Sequence, residues 1–417
     1  MKDYQYLIIG GGLTGDAAVR GIRELDSEGS IGMISGEPYQ PYTRPSLSKG
    51  LWKGRPIEKI WRNTQDLGAE LHLGRMVIDI EPMEKYVRDD KGNEYAYDKL
   101  LLATGGSPIR LPFGDDNIIY YRGFHDYLRL HTLSERGERF LVIGGGFIGS
   151  EIAATLTTVG KKVIMVFLDD SIGANIYPAD LSSFLNNYYR EKGVEVVPND
   201  AVANLEKQGK NITVQTKNGR TFEVDGVVAG IGIRPNVELA QQAGLYIENG
   251  IMVNQHLQTS DPDIYAAGDV ANFFHSALEK RVRVEHEDNA LAMGKLAGRN
   301  MAGMNEFYTH VPMFYSDLFD LGYEAVGELN SQLITVADWQ EPFKKGVIYY
   351  LNDSRVQGVL LWNMWNTARA ARSLIGELGP VQLTDLAGRL WSKDEHATAI
   401  VAAGADKGRI HEIDKLV

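Results

Sequence analysis

Two short stretches of this 417-residue chain carry residue types and spacings suited to gripping a diphosphate: Gly10-Gly11-Gly12-Leu13-Thr14-Gly15 and Gly144-Gly145-Gly146-Phe147-Ile148-Gly149. Each follows an apolar run, Leu7-Ile8-Ile9 or Leu141-Val142-Ile143, that reads as a buried strand. Each also opens a segment with helical apolar spacing. In such a turn the first glycine (Gly10, Gly144) makes the tight bend. The second (Gly12, Gly146) lets backbone approach a pyrophosphate, and the third (Gly15, Gly149) lets helix pack on strand. A carboxylate stands about 20 residues further on in each case, Glu37 and Asp169, suited to accept hydrogen bonds from ribose hydroxyls. A chain that binds two dinucleotides is most simply one that passes electrons between them.

The second site's choice of nucleotide follows from charge. Asp169 and Asp170 end its second strand, and no Lys or Arg occurs from there to Pro178. Carboxylates accept from an unmodified 2'-OH and repel a 2'-phosphate, so NADH is expected over NADPH.

Composition removes other chemistries. Cysteine is absent, which excludes disulfide relays, thiol nucleophiles and cysteine-held clusters, and leaves redox work to a bound organic cofactor. No metal site is expected. The net charge of -12 opposes nucleic acid and anionic membrane as partners. No apolar run approaches the roughly 18 residues of a membrane span. Met1-Lys2-Asp3-Tyr4 runs directly into the first strand, which gives a cytoplasmic expectation.

The elements that must position these residues form two similar halves. In the first, Ile31-Gly32-Met33-Ile34 is a strand carrying Glu37 just past its end. An antiparallel three-stranded insertion is expected around 76–80, 85–88 and 94–99, and Leu100-Leu101-Leu102 reads as a buried strand ending at Gly105-Gly106. Pro108 and Pro112 mark a linker. The second half repeats the plan to about residue 240, with Gly226 to Gly232 mirroring Leu100 to Gly106. Then Asp263 to Val270 reads as strand, turn and helix start, with a helical run over about 288–301. A third unit from about residue 312 alternates through 323–326, forms a hairpin over 347–351 and 356–361, and ends in helical segments.

Five further segments carry a family resemblance. They are Pro41-Tyr42-Thr43-Arg44-Pro45-Ser46-Leu47-Ser48-Lys49, Tyr265-Ala266-Ala267-Gly268-Asp269-Val270, Arg283-Val284-Glu285-His286-Glu287-Asp288, Met313-Phe314-Tyr315-Ser316-Asp317-Leu318 and Gly358-Val359-Leu360-Leu361-Trp362-Asn363. With the fingerprints, they make the whole chain resemble the FAD-dependent pyridine nucleotide oxidoreductases. Within these, it is most similar to the ferredoxin-reductase-like branch and its apoptosis-inducing-factor subgroup. The resemblance implies an α/β fold of two Rossmann-like domains in a glutathione-reductase-like arrangement, plus a C-terminal α+β domain. It implies a discontinuous FAD domain (1–112 and 241–311), an NADH domain (113–240) and the C-terminal domain (312–417). The activity it implies is hydride transfer from NADH to flavin N5, with electrons passed to an acceptor.

The resemblance also assigns residues. To FAD it gives Gly10, Gly12, Leu13, Thr14, Gly15, Glu37, Arg44, Lys49, Val77, Arg122, Asp269, His286, Glu287 and Tyr315. To NADH it gives Gly144, Gly146, Phe147, Ile148, Gly149, Asp169, Gly232 and Glu285. Lys49 and Glu151 are the implied catalytic pair, clasping two domains beside the flavin and placing positive charge near N5. Phe147 is a candidate gate over the ring. Glu287 stands where the subgroup has a second histidine, and Tyr315 where relatives often carry tryptophan. Three acceptor readings stay open: a small iron–sulfur protein; a quinone, dye or oxygen; or a redox-sensing protein whose oligomer, a homodimer among them, responds to NADH.

Overall fold

A computed structural model describes residues 1–377, 379–391, 399–403 and 410–412, the last two ranges as backbone only. The chain forms two compact units: residues 1–46, 55–107 and 233–312 make the first, and residues 47–54, 108–232 and 313–417 the second.

The first unit is built on a seven-stranded sheet. Across it run Ala69–Leu73, Ile31–Ser35, Lys2–Ile9, Glu94–Leu102, Tyr86–Asp89 and Val77–Glu81, and Ile264–Ala266 adds parallel to Glu94–Leu102. The expected three-stranded insertion is present, but its last strand is continuous with the buried run at Leu100. Glu94–Leu102 is one strand, antiparallel to Tyr86–Asp89 at its start and parallel to Lys2–Ile9. Its pattern shifts from alternating to wholly buried, since only its second part is covered on both faces.

Helix Leu13–Arg23 packs on helix Glu287–Met301 with backbones in contact. A Cβ at Gly294 would lie 2.3 Å from the Thr14 carbonyl oxygen, and one at Gly298 2.1 Å from that of Ala18. The glycines of the later helix therefore let the chain return to the first fold after the second. One expectation is corrected: Gly268–Val270 is a single 3-10 turn that leads into strand Ala271–His275, not into a helix. The long helix starts only at Glu287.

In the second unit a five-stranded parallel sheet runs Glu195–Val197, Lys162–Val166, Arg139–Ile143, Gly226–Ala229, Ile118–Tyr120. An antiparallel sheet of Val202–Gln208, Asn211–Thr216 and Thr221–Val224 packs with it into one apolar cluster. The C-terminal part is a seven-stranded antiparallel sheet in the order Met313–Leu318, Leu321–Gly327, Arg355–Trp362, Lys345–Asn352, Ile334–Glu341, Ala399–Ala403, Ile410–Glu412. The expected hairpin is Lys345–Asn352 with Arg355–Trp362. Among the described residues, helix Ala368–Ile375 and the 3-10 turn Leu383–Asp385 answer to the expected helical ending, and strands follow them. Among the described residues, no helix is long and apolar enough to cross a membrane.

Candidate active site

The glycines of the two fingerprints divide by what surrounds them. Gly10 has φ +123°, and a Cβ there would lie 2.1 Å from the Ala103 carbonyl oxygen; Gly144 has φ +113° and the Gly230 oxygen at 2.4 Å. A Cβ at Gly15 would meet the Gly10 oxygen at 2.2 Å, and one at Gly149 the Gly144 oxygen at 2.0 Å. Four glycines are thus required by the protein's own packing. Gly12 and Gly146 are not, since a Cβ on either meets nothing within 4 Å. Both are extended residues that cap a helix without offering a side chain to its first amides. Open space in front of an uncapped helix N-terminus, twice, fits a pyrophosphate held by backbone N–H groups. Leu13, Thr14 and Phe147, Ile148 occupy the first turns of these helices.

The two acids expected at the riboses differ in their surroundings. In the first unit Glu37 accepts from the Tyr42 hydroxyl at 2.7 Å and from the Arg44 guanidinium at 2.7 Å, on different carboxylate oxygens. Arg44, which the resemblance assigns to FAD, contacts Glu37 in the structure, and Tyr42, which the sequence did not single out, joins it. In the second unit Asp169 is exposed, and its side chain makes no hydrogen bond among the described residues. Its neighbour Asp170 accepts from the Ser171 hydroxyl at 2.7 Å, so the two aspartates are not equivalent.

The other residues expected in the first unit fall on three elements. Val77 is buried in the core at the start of its strand. Arg283 bridges the Asp269 carbonyl (2.9 Å) and the Glu285 carboxylate (2.6 Å), which ties the 3-10 turn to the approach of the long helix. His286 caps that helix, Glu287 begins it, and burial holds the His286 imidazole down at about 4 against the opposing charges of Asp269 and Asp288.

The second unit assembles the catalytic candidates. The segment Leu47–Gly54, next to the first ribose acid in sequence, packs wholly within this unit. Leu47 O accepts from the Tyr121 hydroxyl and the Trp52 indole, and Ser48 O accepts from Thr155. Lys49 and Glu151 form an ion pair at 2.7 Å, with side chains 13% and 5% exposed. The ammonium also lies 5.1 Å from the centre of the Tyr315 ring. Two serines missed in the sequence complete the carboxylate: Ser316 Oγ donates to Oε1 at 2.6 Å and Ser48 Oγ to Oε2 at 2.7 Å. Burial raises the phenols of Tyr177, Tyr189 and Tyr323, and the Glu151 charge adds to each. Phe147 meets Phe314 edge to face, with ring centres 5.2 Å apart. Arg122 precedes Gly123, the N-cap of helix Phe124–Arg136, and its backbone N–H donates to the Asp126 carboxylate at 3.1 Å; Gly232 has φ +95°.

Comparison with known proteins is decisive here. The family model for pyridine nucleotide-disulphide oxidoreductases matches residues 4–294. The chain belongs to that family. The model for the apoptosis-inducing factor C-terminal region matches residues 297–342 and 337–377. The chain is 34% identical to apoptosis-inducing factor 1, mitochondrial, of Dictyostelium discoideum, over 90% of this chain and 79% of that one. It is 31% identical to putidaredoxin reductase CamA of Pseudomonas putida, over 90% and 92%. Among solved structures, the covalent putidaredoxin reductase–putidaredoxin complex superposes with a TM-score of 0.86 at 29% identity, covering 92% and 95%. Like its family, this member uses FAD and NADH: it is an FAD-dependent NADH oxidoreductase that passes electrons from the flavin to an acceptor.

Proposed function

We propose that the first fingerprint holds FAD as a resident group, that the second takes NADH in and releases NAD⁺, and that electrons leave to a small iron–sulfur protein. The observation that carries the division of labour is the contrast between the two acids. Glu37 is fixed on both oxygens by Tyr42 and Arg44, which suits a cofactor bound once. The Asp169 carboxylate has no hydrogen-bond partner among the described residues to give up, which suits a nucleotide that exchanges every turnover.

When bound, FAD supplies a ring that accepts hydride and releases electrons. The chain's own residues do the rest. Lys49 brings a positive charge to the place where negative charge grows, and Glu151 holds the ammonium there. Phe147, beside the nicotinamide fingerprint and against Phe314, covers the ring until NADH displaces it. Asp169 selects NADH by accepting from its 2'-hydroxyl. In this reading Val77, Asp269, His286 and Glu287 of the first unit and Arg122 and Tyr315 of the second keep their assignment to FAD, and Gly232 and Glu285 theirs to NADH.

The iron–sulfur acceptor rests on likeness to putidaredoxin reductase and to the ferredoxin–NAD⁺ reductase component of a dioxygenase, 29% identical over 90% of this chain. The reading places the protein in the cytoplasm, where NADH is regenerated. The test is steady-state NADH oxidation with putidaredoxin, a quinone and oxygen offered separately. Turnover with putidaredoxin well above the other two is expected. Equal slow rates with all three, together with a shift to dimer in size-exclusion chromatography when NADH is added, would instead establish the redox-sensing reading.

A further inference from the structure

The Lys49–Glu151 pair is not held by its two members alone. Glu151 follows the second fingerprint on helix Phe147–Thr158, and its carboxylate takes three donors: Lys49 and Ser316 on Oε1, Ser48 on Oε2. Ser48 and Ser316 are themselves buried, at 5% and 1% exposure. A buried carboxylate left with a lone partner can rotate, and its counter-ion follows. One with both oxygens engaged cannot rotate without breaking a charge-assisted hydrogen bond.

The two serines come from separate parts of the unit, and each is fixed independently. Ser48 is tied through its carbonyl to the Thr155 hydroxyl at 2.8 Å, one turn beyond Glu151 on the same helix. Ser316 lies on the edge strand Met313–Leu318, in register with Tyr323 on the next strand. The residue before it, Tyr315, presents its ring to the Lys49 ammonium. Successive residues of one strand thus contact both members of the pair, and the C-terminal sheet joins the setting of their geometry.

We infer that Ser316 and Ser48 are positioning residues which lock the Glu151 carboxylate and so fix where the Lys49 ammonium stands. The inference rests on the reading that Lys49 acts on the flavin. Without either hydroxyl, the carboxylate keeps more of its negative charge and the ammonium is drawn off its place. The bound flavin then becomes harder to reduce.

The experiment compares Ser316→Ala, Ser48→Ala, Ser316→Thr and Lys49→Met, with Ser316→Ala also made in the Lys49→Met background. The first readout is the flavin midpoint potential. Lys49→Met should lower it, the two alanine variants should lower it by less, and Ser316→Thr, which keeps a hydroxyl, should stay near wild type. In the Lys49→Met background, Ser316→Ala should add little. Hydride transfer from NADH should slow by about tenfold in each alanine variant, as for one lost hydrogen bond to a charged group.

The second readout needs no cofactor. Acylation of Lys49 by acetic anhydride in the apoprotein, followed by mass spectrometry, should be several-fold faster in the alanine variants and unchanged in Ser316→Thr. An unchanged potential in Lys49→Met would overturn the reading of Lys49 itself. A lowered potential there, with wild-type potential and wild-type acylation in Ser316→Ala and Ser48→Ala, would overturn the role of the serines alone. Should an alanine variant lose its FAD, acylation decides: faster labelling supports the lock, and wild-type labelling refutes it.

Discussion

At the scale of single residues, glycines in one motif serve different ends, and substitution should separate them. Gly10→Ala places a methyl 2.1 Å from a backbone oxygen at φ +123°. It should cost the cofactor-free protein roughly 2–4 kcal/mol in chemical denaturation. Gly12→Ala has an extended backbone and open space before it, so the apoprotein should be unchanged or up to about 1 kcal/mol more stable. Its FAD affinity should nonetheless fall more than about tenfold, because the methyl occupies the pyrophosphate path. Equal loss of apoprotein stability in both variants would contradict this division. At Asp169 the free carboxylate should favour NADH over NADPH by roughly 30- to 150-fold in stopped-flow flavin reduction, the worth of one lost bond or charge clash. Asp169→Ala should slow NADH and narrow that ratio, whereas Asp170→Ala, whose carboxylate is engaged by Ser171, should change it little.

Among the elements, the small sheet of Ile251–Met252, Ala271–His275 and Lys280–Val282 carries a built-in acid sensitivity. His275 is buried; Nδ1 accepts from the Leu278 N–H, and Nε2 has no hydrogen-bond partner among the described residues. Burial, with smaller contributions from His310 and Lys280, lowers its pKa to about 4. The unfolded histidine takes a proton below about pH 6.5, and the folded one only below about 4. Between these values unfolding takes up a proton, so the contribution is complete above about pH 6.5 and drains as the pH falls toward 4. The whole effect is about 3 kcal/mol. Denaturation at pH 7 and pH 4.5 should show the loss, and His275→Gln should remove its own share of that dependence while leaving the share of His286, which burial holds at a similar value. An identical pH slope in the variant would refute it.

Elements whose identity is local were legible in the sequence: both fingerprint strands and helices, the insertion strands and helix Glu287–Met301. The fate of Asp263 to Val270 was not, because glycine followed by aspartate marks a helix start only if helical periodicity continues. Here Ala271-Asn272-Phe273-Phe274-His275 is a strand that pairs antiparallel with Lys280–Val282 instead. At the site, the Lys49–Glu151 pair was reached through family resemblance. Ser48 and Ser316 left no local mark, since their role exists only when a loop, a helix and an edge strand converge on one carboxylate.

Over the whole molecule, chain order and spatial unit diverge at one segment. Leu47–Gly54 follows the Glu37–Arg44 cluster in sequence, yet it packs in the unit that holds Glu151 and Ser316. Lys49 therefore shares a compact unit with its counter-ion. This accounts for a pair about a hundred residues apart in sequence being closed by charge-assisted bonds on every side. The central claim concerns the two fingerprints: one keeps FAD, the other admits NADH. The most direct measurement is an anaerobic titration of flavin absorbance with NADH in wild type, Gly146→Val and Gly12→Val. Wild type should bleach with one equivalent. Gly146→Val should purify yellow and resist bleaching by NADH while still bleaching with dithionite, and Gly12→Val should purify colourless. A Gly146→Val protein that lacks FAD, or that bleaches with NADH as wild type does, would contradict the account.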